Sequence, residues 1–251
     1  MAEPVITLDI DWAPDFVIDE IALALASAHV RATWFVTHES AAVDRLRSRP
    51  DLFELGLHPN FNAGSSHGNN PEDVISFVAG LVPNSTSVRT HSLVQSTPLL
   101  LLMARRVPTL VADVSIFLPH ASSCEIVEHF HAGTKLLRIP YVWEDDSEMD
   151  RPSQVWRLSG MAGGNGFRVF DFHPIHLALN GTGMERYNSL KARIPRLQDA
   201  SPEIVDDLRR LGEGPRSMFE DIVAYLSRRG GGDRICDLVT RHARTRQKDR
   251  L

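Results

Sequence analysis

The chain has only two cysteines in 251 residues, Cys124 and Cys236, far apart and with no C-x-x-C spacing. That excludes a disulfide framework and a cysteine-built metal or redox site, and both read as small buried hydrophobes. Long apolar runs are also missing. The strongest burst, "TPLLLLMARRV" (97–107), falls well short of the roughly 18 residues that a membrane span requires. The first strand-like run begins near Val5, which leaves no room for the charged and apolar parts of a secretory signal, so the expected place is the cytoplasm. Positive charge is not in surplus: 27 Lys and Arg stand against 32 Asp and Glu, a formal net charge of −5. A nucleic-acid partner is therefore not expected, since phosphate binding needs a clustered basic face. The basic C-terminus, "RHARTRQKDRL" (241–251), reads as a solvated, fraying helix end.

What remains is an ordinary globular composition, 43% hydrophobic and 24% charged, large enough for one domain over 1–251 with a full core. No internal repeat or low-complexity linker interrupts it. A strand at 5–10 is followed by a helix at 16–28, whose Val17, Ile18, Ile21, Leu25 and Ala28 recur at helical spacing, with Asp15 as its cap. Strands at 31–37, 52–58 and 87–91 then alternate with helices near 41–48 and 70–82, and a later strand is expected over "FRVFDFHPIH" (167–176). "GGNG" (163–166) precedes a strand and so reads as a turn, not a phosphate loop. Beyond Asn180 the chain turns helical and charged, with "SPEIVDDLRRL" and a last helix near 233–247. Repeated alternation of strand and helix is the signature of parallel βα units, in which functional loops leave the carboxyl ends of the strands.

Polar residues fall on those ends. Asp9 and Asp11 close the first strand, two residues apart and so expected on one face. His58 closes the third strand, Arg89 and His91 the fourth, and His173 and His176 the late one; "RIPYVWEDD" (138–146) follows another apolar stretch. Carboxylate and imidazole on one rim suit a divalent transition metal with positions open to water and substrate. An adjacent carboxylate can accept a proton from water, and a second acid can protonate a leaving nitrogen. Singly, each has a plainer explanation: Trp143 as core, "WEDD" as a solvated acidic turn, Arg89 as a structural ion-pair partner, and His120, His129 and His131 as surface histidines. The functional reading rests on their convergence.

In this order, "LDIDW", "LHPNFN", "VRTHS", "YVWEDD" and "FDFHPIH" resemble the five motifs of the NodB-homology polysaccharide deacetylases (carbohydrate esterase family 4), over about residues 5–180. The texture is closest to the WbmS-like branch linked to surface-polysaccharide (O-antigen) synthesis. The resemblance implies an α/β fold, a deformed (β/α) barrel with a helical C-terminal part over about 185–251. It also implies one divalent metal ion, expected to be Zn, an N-acylated sugar substrate, and removal of the acyl group. By motif position Asp9 becomes the catalytic base, Asp11 and His58 metal ligands, Arg89 the residue orienting the base, and His173 the general acid. Asn62 stands where the family has its second histidine; His67 is the alternative third ligand. His91 replaces residues that line the pocket, Trp143 takes the place of a pocket wall, and Glu144, Asp145 and Asp146 that of the acid supporting the histidine. His176 is placed near the substrate without a family role. Two alternatives remain: a catalytically weak carbohydrate-binding or assembly protein on the same fold, and a hydrolase of another amide or formamide. The oligomeric state is left open.

Overall fold

The computed structural model describes residues 2–161 and 163–248, so the last residues of the basic C-terminus lie outside the described ones. The strands are β1 (Glu3–Asp9), β2 (Ala32–Val36), β3 (Phe53–Leu57), β4 (Ser87–Val88), β5 (Ala112–Phe117), β6 (Val127–His131), β7 (Thr134–Tyr141), β8 (Trp143–Glu144) and β9 (Phe167–Phe172). Between them run helices α1 (Asp15–Ser27), α2 (Ala41–Arg47), α3 (Pro71–Leu81), α4 (Thr97–Arg106) and α5 (Asp145–Met149). After β9 come α6 (Pro174–Leu179), α7 (Glu185–Arg193), α8 (Pro202–Leu208), α9 (Pro215–Ser227) and α10 (Ile235–Lys248).

One sheet holds all nine strands in the order β6-β7-β5-β4-β3-β2-β1-β9-β8, parallel except for the β6–β7 hairpin. Successive strands are neighbours in a single direction, which is barrel order and lacks the reversal of a doubly wound sheet. The segment 134–144 pairs through β7 with β5 and through β8 with β9, and between them Val142 N donates to Val169 O at 2.9 Å. The sheet therefore curls into a deformed barrel. Its interior holds Val5, Phe35, Val114, Ile139, Tyr141 and Val169, and Ile235 and Leu238 of α10 pack against them. Ile235 N and Cys236 N bond to Thr33 Oγ1 and Glu54 Oε2 near the starts of β2 and β3, so α10 covers the amino end and the carboxyl rim is left for the site. The larger core lies between the sheet and its surrounding helices.

Local chemistry accounts for the helix starts. Ser40, Asn70, Ser96 and Ser201 accept from the backbone of α2, α3, α4 and α8, and Pro71 and Pro202 sit where a missing N–H costs nothing. Asp15 is not a cap of α1: Pro14 occupies that place, and the Asp15 carboxylate accepts from Ala42 N, 3.2 Å away in the first turn of α2. The late strand is shorter than its hydrophobic pattern, ending at Phe172, because Pro174 opens α6 and carries His176 onto a helix. Gly56 in β3 is required by close approach: a Cβ there would lie 2.5 Å from the Phe35 ring. That ring is part of the site described next.

Candidate active site

Asp9 ends β1, and the chain then leaves the strand. Asp11 and Trp12 both take left-handed backbone conformations, φ 43° and 55°, which Asp tolerates and Trp rarely adopts. The turn is held by Trp12 N donating to Thr37 Oγ1 at 3.1 Å. So the two aspartates meet through a strained turn, not through strand alternation; such strain is typical of functional positions. His58 follows β3, and its Nε2 lies 3.1 Å from Asp11 Oδ1 and 3.6 Å from Asp9 Oδ2. His91, in the turn after β4, brings Nδ1 within 3.1 Å of the same Asp11 oxygen and 3.3 Å of His58 Nε2. Three donor atoms thus form a small triangle. Burial opposes a charge on Asp11, but hydrogen bonds from His58 and His91 outweigh it and hold the carboxyl well below its ordinary range.

Asn62 is not drawn to this triangle: it is exposed and its amide donates to Ser92 Oγ at 3.3 Å. His67 is buried, yet both ring nitrogens are used elsewhere. Nδ1 accepts from Asn60 N at 3.1 Å, which leaves Nε2 to donate to Thr37 O at 2.8 Å, and burial pushes the ring down to about 4. Neither candidate for the third ligand of the sequence reading stands beside Asp11 and His58; His91 does.

Arg89, 1% exposed, is the cation beneath the triangle. One terminal nitrogen donates to Asp9 Oδ1 at 2.9 Å and also to Asp171; the other donates to Thr7 Oγ1 at 2.8 Å. The guanidinium lies between the rings of Phe35 and Tyr141, 4.7 and 4.6 Å from their centroids. Asp171 is absent from the sequence reading, although it stands in the quoted run "FDFH", two residues before His173 and near the end of β9. Burial drives its carboxyl well above the carboxylate range, with Arg89 opposing. Removing one partner from so buried a network leaves charge uncompensated. Arg89→Met is therefore expected to lower folding stability by about 3–5 kcal/mol, read from urea unfolding midpoints at constant m. An unchanged midpoint would mean that the network is relieved by water.

His173 follows β9. Its Nδ1 lies 2.7 Å from Asp145 Oδ1, and its backbone N donates to the other oxygen at 2.8 Å, so Asp145 fixes both ring and chain. Nε2 is thereby turned to the cleft, 3.6 Å from Asp11 Oδ2. Burial works against its charge, but Asp145 prevails and raises the ring well above the usual histidine value. His176 packs edge-on against it at 5.4 Å, and burial pulls His176 down. Burial drives the Glu144 carboxyl up to about 8, and Oε2 accepts from Tyr141 at 3.0 Å. Trp143 does not form a cleft wall. It is fully buried against Trp156, Phe170 and Phe172, and its indole N–H donates to Val155 O. Asp11 and His91 form the floor of a cavity of about 500 Å³ that opens outward. A larger groove, about 850 Å³ between α2 and α3, contains none of these groups.

Among the described residues no helix is long and apolar enough to cross a membrane. The sequence pattern described as WbmS-like polysaccharide deacetylase matches residues 6–191. The crystal structure of WbmS from Bordetella bronchiseptica, described as a polysaccharide deacetylase involved in O-antigen biosynthesis, superposes with a TM-score of 0.73 at 32% identity, covering 88% of this chain and 90% of that one. A 4-alpha-glucanotransferase from Thermococcus litoralis shares 12% identity at a TM-score of 0.43, over 70% of this chain and 33% of its own. No curated protein matches. A match over most of the length, on a fold with the same architecture, places this chain in the family of WbmS-like polysaccharide deacetylases.

Proposed function

We propose that this protein is a metal-dependent hydrolase that removes an N-acetyl or similar acyl group from a sugar in the synthesis of a surface polysaccharide such as O-antigen. The observation that carries this reading is the triangle of Asp11, His58 and His91. Bonds of about 2.0–2.1 Å at tetrahedral angles put neighbouring donors about 3.3 Å apart. The three atoms here are separated by 3.1, 3.1 and 3.3 Å. One carboxylate and two imidazoles form a set suited to zinc, and three protein ligands leave room for water and substrate. Asp11, His58 and His91 would hold the ion. Bound there, it supplies Lewis acidity, acidifying water and polarising the acyl carbonyl.

The chain's own residues supply the proton transfers. Asp9 accepts the proton that the attacking water gives up; Arg89 holds that carboxylate in place and Thr7 holds Arg89. His173, kept protonated by Asp145, hands a proton from Nε2 to the departing nitrogen. Asp145 also keeps the ring from turning that proton away.

Ligand identity is tested by metal content of protein purified without chelator or affinity-tag metal. His91→Ala is expected to lose the ion, at least tenfold in affinity, whereas Asn62→Ala retains it. The reverse pattern would return the third ligand to the second motif. Acetate release from N-acetylated amino sugars, measured on the same preparations, tests the reaction. A parent protein that binds such a sugar and never releases acetate is a carbohydrate-binding protein on this fold.

A further inference from the structure

The cavity that Asp11 and His91 line is also lined by Trp12 and by residues of α7 and the turn after it, which the five motifs do not include: Tyr187, Lys191 and Arg196. Its volume, about 500 Å³, is within the range of small-ligand sites. The cations of this stretch differ in what they do. Arg186 donates to Leu208 O, Arg193 pairs with Asp207, and Arg196 binds Asp199 through Nε and one terminal nitrogen. Lys191 has no carboxylate partner among the described residues. Its ammonium stands 5.4 Å from the centre of the Tyr187 ring, and both residues line the cavity. Arg196, clamped by Asp199 on two nitrogens, keeps its remaining terminal nitrogen for another acceptor.

We propose that this cavity is a subsite for an anionic substituent of the substrate, a phosphate or a carboxylate, with Lys191 as its binding group and Arg196 as a second donor. Trp12 and Tyr187 offer apolar faces on which a sugar ring can lie. The proposal rests on the deacylation reading of the same site, and it adds that the acylated sugar carries negative charge beside the acyl group. Lys191 serves it as a point charge, which tolerates either anion.

Binding to the metal-loaded protein tests this by calorimetry with three probes: N-acetylglucosamine 1-phosphate, an N-acetylated aminouronic acid, and neutral methyl N-acetylglucosaminide. At low salt at least one charged probe is expected to bind about three- to tenfold more tightly than the neutral one, with the preference fading at 0.5 M salt, a concentration of about three times the physiological one. In Lys191→Ala that ratio should collapse toward one, and Lys191→Arg should restore it. Arg106→Ala, which removes an exposed cation of α4 that is not among the residues lining the cavity, should leave the ratio unchanged and so exclude a general field effect. Preference for the phosphate or the uronate identifies which anion the subsite takes. Equal binding of all three probes, or a ratio insensitive to Lys191, overturns the proposal. Acetate release is read separately: release without charge preference removes the subsite and keeps the hydrolase, while charge preference without release keeps the subsite and removes the hydrolase.

Discussion

Asp9→Asn is expected to retain the metal and lose about 10²–10⁴-fold in turnover, the usual cost of removing a general base. The substitution keeps the side chain's shape and removes its ability to take a proton. Arg89 still has Asp171 and Thr7, so the guanidinium stays paired and the barrel stays folded. The loss should fall on kcat, since in the proposed reaction Asp9 acts on the attacking water rather than on the ground-state sugar. Metal content and acetate release from one preparation separate the outcomes. A variant as fast as the parent would take the base role from Asp9, and a variant without metal would make Asp9 a ligand.

Asp11→Asn should fail differently, losing metal and activity together, with a rate deficit at least as large as that of Asp9→Asn. Asp11 contributes the anionic oxygen of the triangle, and a neutral amide is a poorer partner for a divalent cation. Asn tolerates the left-handed conformation that position 11 requires, at φ 43°, so the effect is chemical and not a collapse of the turn. A chelator should reduce the parent to the level of this variant. Added Zn²⁺ should then restore the parent and leave Asp11→Asn inactive. Recovery of the variant at ordinary metal concentrations would show that His58 and His91 suffice.

The other donors explain why the cleft is built from loops on a rigid frame. Arg89 is pinned between two aromatic rings, and one of them, Phe35, has its place only because position 56 is glycine. Asp145 anchors His173 through ring and backbone alike. Each group proposed to move a proton is thus oriented by a buried neighbour, the arrangement that preorganised sites require.

Much of this was legible from local pattern. Periodicity of 3.6 or 2, proline at helix starts and the βα alternation are properties of neighbouring residues, and they determined the element types, the parallel sheet and the rim on which Asp9, Asp11, His58, Arg89 and His173 lie. The order of the five motifs carried the family. Asp171 could also have been found, since the strand expected over 167–176 would put it on one face with His173. What tertiary structure decided was which neighbours complete the site. Positions 58, 62, 67 and 91 lie on two loops, and no spacing rule says which nitrogen turns inward. The turn after β3 gives His67 to Thr37 and Asn60, the turn after β4 brings His91 to Asp11, and packing against Phe170 and Phe172 withdraws Trp143 from the cleft. The sequence by itself determined the scaffold and the chemical kinds at its rim, because those depend on contacts between near neighbours. Which side chains gather at the rim, and how far each reaches, depends on backbone turns and on contacts made 30 to 164 residues apart, such as Asn62 with Ser92 and Thr7 with Asp171, and these exist only in the folded chain.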